Sequence, residues 1–244
     1  MKVCVITDNQ FIYEQFLILL EEPRYEKESF VFFSSPGNPL CPAKEAGGRT
    51  RIGQVDLKQA TDDFFGRYDL FLSLHCKQLF PQALVDSRRC INVHPGFNPY
   101  NRGWYPQVFG ILNQYPVGVT IHEIDGKLDH GPIILQRQVP VYSWDTSLDV
   151  YTRIQQLEVE LLRESLPVLL SGDYRTFQPD TEGNVNLERD FKKLCRLDPD
   201  QTLTWREAID FLRAMTFQGY RNAYFYDKEG NKVFVEIHLE KEQP

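Results

Sequence analysis

The chain has 244 residues, 42% of them apolar and 25% charged, and a formal net charge of -7 at pH 7. That length supports one large core with a small appendage, the composition is that of a soluble globular protein, and the acidic balance argues against a surface built to grip a polynucleotide. Five cysteines, at 4, 41, 76, 90 and 195, form no Cys-x-x-Cys pair and are odd in number. Cys4, Cys76 and Cys90 lie in apolar runs, which predicts small buried thiols in a reducing compartment. The opening Met1-Lys2-Val3-Cys4-Val5-Ile6-Thr7 is too short for a signal segment, and no run reaches the length of a membrane span. A cytoplasmic protein with no membrane contact is the expectation.

In chain order, Val3 to Thr7 reads as a buried strand, Ile12, Phe16, Leu19 and Leu20 follow at helical spacing, and Ser29 to Ser34 reads as a second strand. Residues 35 to 50 are rich in Pro, Gly and Ser and predict a surface connection. A helix over 56–67, a buried strand from Tyr68 to His75, a short helix from Pro81 to Asp86 and a strand from Arg89 to His94 come next. Trp104 to Gln114 predicts a helix, and Val117–Ile124 and Pro132–Val141 predict two strands around a loop. A long helix then carries Leu148, Tyr151, Ile154, Leu157 and Leu161 on one face, entered through Thr146 and bent or ended near Pro167.

This alternation predicts an α/β protein with a Rossmann-like, mostly parallel sheet and helices on both faces, over residues 1–180. Residues 181–244 predict a C-terminal extension. Its parts are a polar, turn-rich lead-in, a helix to about Met215 opened by the capping box Thr204-x-x-Glu207, and a hairpin pairing Ala223–Tyr226 with Lys232–Leu239. A hairpin alone is marginal in water, so it is expected to pack on the main domain or on a second copy, and a two-fold homodimer is the expectation.

Chemistry concentrates in Asn92-Val93-His94-Pro95-Gly96 and in Asp125-Gly126-Lys127-Leu128-Asp129-His130-Gly131. Strand alternation puts Asn92 and His94 on one side of the sheet, and Pro95-Gly96 stops the strand at its carboxyl end, where open α/β sheets bind ligands. If the second loop brackets the same pocket, Asp129 can hold the His94 imidazole in one tautomer while Asn92 offers an amide to an oxyanion. That combination predicts acyl transfer, with Asn92, His94 and Asp129 catalytic. Each has a plainer reading alone: Asn and Asp favour turns, and a strand-end His can be structural. No Gly-x-x-x-x-Gly-Lys-[Ser/Thr] or Gly-x-Gly-x-x-Gly motif is present, and His122 and His130 lack metal-ligand spacing, so no metal is expected.

The Asn-x-His pair followed by this Asp resembles the formyltransferases that use 10-formyltetrahydrofolate. Ser73-Leu74-His75-Cys76-Lys77-Gln78-Leu79-Phe80-Pro81 and Asn98-Pro99-Tyr100-Asn101-Arg102-Gly103-Trp104-Tyr105-Pro106 are similar to the sugar N-formyltransferases within that family. The resemblance spans roughly residues 1 to 240. It implies formyl transfer from 10-formyltetrahydrofolate, as co-substrate, to the amine of a dTDP-linked 4-amino-4,6-dideoxy sugar. The expected acceptor is dTDP-4-amino-4,6-dideoxy-D-glucose, and the expected setting O-antigen or other surface polysaccharide synthesis.

It further implies that the folate meets Leu74, Gln78, Leu79, Phe80, Glu123, Asp125 and Leu128. The sugar nucleotide is expected to meet Asn9, Lys77, Tyr100, Arg102, Gly103, Trp104, Asn222 and Tyr224, with Lys77 or Arg102 pairing with the diphosphate and Trp104 or Tyr224 offering an aromatic face. Three other readings share the pocket: a methionyl-tRNA formyltransferase, disfavoured by the acidic charge; a formyltetrahydrofolate hydrolase; and a non-catalytic folate- or nucleotide-binding module.

Overall fold

The computed structural model of the protein describes residues 1–41, 44–45, 48–49 and 52–242. The part of the expected 35–50 connection at residues 42, 43, 46, 47 and 50 lies outside them. Chain order gives β1 (Lys2–Thr7), α1 (Gln10–Leu20), β2 (Ser29–Ser34), β3 (Lys44–Glu45), β4 (Gly48–Arg49), β5 (Ile52–Gln54), α2 (Asp62–Phe65), β6 (Leu70–Leu74), α3 (Gln82–Ser87) and β7 (Arg89–His94). After these come β8 (Arg102–Gly103), α4 (Pro106–Asn113), β9 (Val117–Glu123), β10 (Ile133–Val139), α5 (Ser147–Ser171), β11 (Val185–Asn186), α6 (Glu188–Leu194), α7 (Trp205–Met215), β12 (Ala223–Tyr226) and β13 (Lys232–Val235).

The central sheet has seven strands in the order β10-β9-β7-β6-β1-β2-β5. Pairings β1 with β2, β1 with β6, β2 with β5 and β6 with β7 are parallel, and β7 with β9 is antiparallel. This is the mostly parallel α/β sheet expected from the sequence. Continuous apolar runs such as Leu70–Leu74 follow from it, because a strand covered on both faces has no solvent side. On one face, Tyr13 and Phe16 of α1 meet Phe32 of β2 edge-to-face at 5.3 and 6.2 Å. On the other, Cys4, Ile6, Phe71 and Cys90 join Phe65 of α2 and Leu84 of α3 in one buried cluster. The thiols of Cys4 and Cys90 are buried there among hydrocarbon, and burial pushes Cys90 up to about 12.

The chain forms two compact units. One contains Met1–Pro95, Val119–Gln136 and Gln155–Asp180; the other contains Gly96–Gly118, Arg137–Ile154 and Thr181–Pro244. The second unit is therefore more than the C-terminal extension, since it also draws in the 96–118 and 137–154 segments. Within it, the Asn101 Oδ1 accepts from the side-chain amides of Asn113, Asn184 and Asn186 at 2.8, 3.0 and 3.3 Å. This ties the segment entering β8 to the one entering β11, its parallel partner.

Local differences from the sequence reading have physical causes. The helix expected over 56–67 is only α2, because the backbone from 57 to 59 turns and seats Leu57 in the same buried cluster as Phe65. Pro167 does not end α5, which runs on to Ser171. A proline removes one backbone donor and leaves the carbonyl four residues earlier without it, and that carbonyl, Arg163 O, is approached by Arg24 Nη2 at 3.5 Å. The Thr204–Glu207 capping box and the 223–235 hairpin are present, with β13 shorter than expected.

Phe71 is fully buried at the centre of the aromatic cluster, where it meets Phe64, Phe65 and Tyr68. Phe71→Ala is expected to cost about 3–5 kcal/mol of stability, measured as a shift in the denaturant midpoint with unchanged slope.

Candidate active site

Register decides the site. Asn92 of β7 stands opposite His122 of β9, and His94 opposite Thr120. Beyond β9, the loop from Ile124 to Pro132 returns towards β7, with Ile124 N bonded to Cys90 O and Glu123 N to Pro132 O. Asp129 lies on that loop with φ of 46°, in the left-handed region where Asp is tolerated better than most residues. The turn aims its carboxylate at β7: Asn92 Nδ2 donates to Asp129 Oδ1 at 2.9 Å, and His94 Nδ1 lies 3.5 Å from Asp129 Oδ2. Asp129, far along the chain from Asn92 and His94, thus meets them on one side of the sheet.

His122 completes the group, a part that spacing alone did not reveal. Its Nδ1 lies 2.7 Å from the Glu123 carbonyl, which only accepts, so Nδ1 carries the proton and Nε2 accepts from Asn92 Nδ2 at 3.2 Å. The signal available in the sequence was the strand period, which puts His122 and Thr120 on one face of β9. An amide nitrogen has two hydrogens, and in Asn92 both have acceptors, Asp129 and His122. A carbonyl oxygen arriving at Asn92 therefore has to displace one of them, and the longer bond to His122 is the weaker. A proton on His94 Nδ1 facing Asp129 makes Nε2 the basic nitrogen. His94 and His122 are buried, which strengthens these polar contacts relative to water.

The loop carrying Asp129 is itself braced. Asp125 accepts from Lys127 N at 3.1 Å and contacts His130 Nδ1 at 2.7 Å. Burial pushes the Asp125 carboxyl up, but the bonds from His130 and Lys127 outweigh it and hold the group below its ordinary range. At Gly131 a methyl group would lie 1.8 Å from Glu123 O, so only glycine permits this closure.

The remaining expected ligand residues divide by what occupies them. Leu74 is wholly buried in β6, and Phe80 belongs to the cluster beneath the loop. Gln78 accepts from Leu57 N and donates to Val55 O and the Ser35 hydroxyl, which makes it a brace of the scaffold. Glu123 accepts from the Tyr174 hydroxyl at 3.1 Å. Leu128 is half-buried on the Asp129 loop, and Leu79 is 60% exposed beside buried Phe80. Asn9 caps α1, and Lys77 reaches Asn38 Oδ1 at 3.5 Å.

In the second unit, Arg102 is buried and its guanidinium bonds to the carbonyl and carboxylate of Glu182. Tyr100 packs on Tyr115 and Trp104 on Tyr105, while Gly103 has φ of 92° in β8. Asn222 donates to Met215 O, and the Tyr224 ring lies under Lys232 Nζ at 3.7 Å. Among the described residues no group of three or more His, Cys, Asp or Glu could hold a metal ion, and no helix is long and apolar enough to cross a membrane.

An imidazole oriented by a carboxylate, with an amide beside it at the carboxyl edge of a parallel sheet, is an arrangement suited to acyl transfer. Residues 36–166 match the formyl transferase family, and residues 190–241 match the N-formyltransferase dimerization C-terminal domain. The chain is 51% identical over 193 residues to a dTDP-4-amino-4,6-dideoxyglucose formyltransferase of Mycobacterium bovis, covering 79% of this chain and 82% of that one. Its fold superposes on a 4-N formyltransferase from Francisella tularensis with a TM-score of 0.92 at 45% identity, over 98% of each chain. A formyltransferase from Anoxybacillus kamchatkensis, in complex with UDP-4,6-dideoxy-4-formamido-L-AltNAc and tetrahydrofolate, matches with a TM-score of 0.59 at 26% identity, over 79% of this chain and 89% of that one. The protein belongs to the formyl transferase family and is a formyl-transferring enzyme.

Gly131→Ala forces the Asp129 loop off β9. It is expected to cost about 1–3 kcal/mol of stability and, by misplacing the carboxylate, to lower formyl transfer roughly a hundredfold. Thermal melting and steady-state rates on the same preparation check both.

Proposed function

We propose that this enzyme transfers the formyl group of 10-formyltetrahydrofolate to the amine of a dTDP-linked 4-amino-4,6-dideoxy sugar. The proposed acceptor is dTDP-4-amino-4,6-dideoxy-D-glucose, and the product serves O-antigen or related surface polysaccharide synthesis. The observation that carries the reading is the meeting of Asn92, His94 and Asp129 at the end of β7, in a chain half identical to an enzyme named for that acceptor.

In this reading His94 Nε2 takes the proton that the amine loses as its nitrogen bonds the formyl carbon, and returns it to the nitrogen that the formyl group leaves. Asp129 holds His94 in the required tautomer and stabilises its charged form. Asn92 gives up its bond to His122 and donates to the carbonyl oxygen as negative charge develops there; one such donor is worth about 3 kcal/mol of barrier in comparable sites.

The folate supplies the activated formyl group. The fit of this chain to a flat heteroaromatic ring rests on Leu79, an exposed apolar side chain in the segment between β6 and α3, and on the Asp129 loop, whose Ile124 packs on the cluster containing Phe80 and whose Gly126 lies against Gln82. An apolar wall next to a backbone-rich loop suits such a ring, with peptide groups for its polar edge. Asn9 and Lys77, beyond the ends of β1 and β6, are the proposed contacts for the nucleotide diphosphate. Trp104 and Tyr224 are the proposed aromatic contacts.

The match of residues 190–241 to a dimerization domain supports a homodimer through this segment, which exposes Tyr220, Tyr226, Val233 and Phe234. Phe234→Asp is expected to convert a dimer into a species near the 28.6 kDa of one chain, read by light scattering.

Incubation with 10-formyltetrahydrofolate and a panel of thymidine- and uridine-diphosphate 3-amino and 4-amino sugars tests the reaction. A gain of one formyl mass on the 4-amino-4,6-dideoxyglucose member is expected; formate release with no acceptor modified points instead to a hydrolase. His94→Asn is expected to lower kcat by roughly a hundredfold or more, and survival of the rate would remove His94 from proton transfer.

A further inference from the structure

β1 has β2 on one side and β6 on the other, so the chain leaves β1 and β6 in opposite directions and opens a crevice between their carboxyl ends. Asn9 follows β1 and His75 follows β6. Behind them lies Glu158 of α5, wholly buried on a helix whose Ile154, Leu161 and Leu162 are buried too. A carboxylate there is costly and contributes nothing to packing that a leucine would not. It is kept against His75, whose Nε2 lies 2.6 and 2.8 Å from its two oxygens. Burial pushes the Glu158 carboxyl up, and the hydrogen bond from His75 pulls against that.

His75 also has φ of 58°, a left-handed conformation that is unfavourable for an L-residue. Such a backbone persists where surrounding contacts over-determine it. The ring's other nitrogen, Nδ1, lies 3.5 Å from Asn9 Nδ2. Asn9 has its orientation set elsewhere: its Oδ1 caps α1 by accepting from Ile12 N at 3.1 Å and faces Gln155 Nε2 at 3.4 Å. Nδ2 must therefore point at His75, and the contact is a hydrogen bond only if Nδ1 accepts. That places the ring proton on Nε2, donated to Glu158. A helix cap needs only the Asn9 oxygen, as Ser or Asp would provide; the Glu158–His75 pair acts on the other end of the amide. The same turn carries Lys77, whose backbone N–H is held by Asp8 Oδ2 at 2.7 Å.

We infer that Glu158 and His75 are positioning residues that set the Asn9 amide and the Lys77 turn for the diphosphate of the sugar nucleotide. The inference rests on the proposed function in taking Asn9 and Lys77 as ligand contacts. Affinity for the nucleotide then depends on a side chain buried behind the crevice, while the chemistry at His94 does not.

The test is titration calorimetry with thymidine diphosphate, and steady-state kinetics, on the full chain as wild type, Glu158→Gln and His75→Asn. Asparagine tolerates positive φ, so the second variant removes the ring and keeps the turn; circular dichroism confirms folding, and His75→Asn decides alone if Glu158→Gln does not fold. His75→Asn is expected to weaken thymidine diphosphate binding and raise KM for the sugar nucleotide roughly tenfold, with kcat and KM for the folate within about twofold. Glu158→Gln, which keeps shape but loses charge, gives a change in the same direction of roughly threefold.

Unchanged nucleotide binding with a lowered melting temperature overturns the inference in favour of a purely structural pair. A fall in kcat alone overturns it in favour of a role in the chemical step. Wild-type protein that binds no thymidine diphosphate overturns both this inference and the functional reading, and is told apart because it fails before any substitution.

Discussion

The site depends on where one carboxylate is held. Asp129 accepts from Asn92 and faces His94 because a left-handed backbone turns it back over the sheet, and that turn exists because Gly131 lets the chain close against Glu123. A buried carboxylate without donors would be costly. Here the donors come from β7, while β9 brings His122 into register opposite Asn92. The antiparallel β7–β9 pairing is thus more than an edge of the sheet. It brings His122 and Asp129, distant in the chain from Asn92 and His94, into one polar group with them and fixes the tautomer of His122.

The parallel part of the sheet does complementary work. Its order sends every parallel strand's carboxyl end to one edge, so the Asn9–His75–Glu158 group beyond β1 and β6 and the Asn92–His94–Asp129 group at β7 share that edge. Beneath them the interior is hydrocarbon and thiol, rich in tilted and edge-to-face aromatic contacts around Phe64, Phe71 and Tyr68. Close packing of that kind resists small displacements, which is what a site needing sub-ångström placement requires.

The second unit shows how strongly polar residues can serve the scaffold. Asn101 gathers three amides on one oxygen, and Arg102 bonds to Glu182. In the sequence, Asn-Arg-Gly-Trp looks like a set of ligand contacts. In the fold, both side chains have partners within the protein, Asn101 the amides around β11 and Arg102 the Glu182 that precedes it, and only the tertiary structure shows those partners.

The sequence by itself determined the α/β alternation, the helix caps at Thr146 and Thr204, the hairpin, and the side of β7 that Asn92 and His94 share. All of these are consequences of local periodicity and capping chemistry, which act over a few residues. Only the tertiary structure decided that α5 passes through Pro167, that Gln78 bonds Leu57 and Arg102 bonds Glu182, that His122 joins Asn92, and that Glu158 lies behind His75. Each of these depends on strand order, register or the partner that a buried polar group finds. A pattern with a period of two or 3.6 residues carries no information about which distant strand becomes a neighbour.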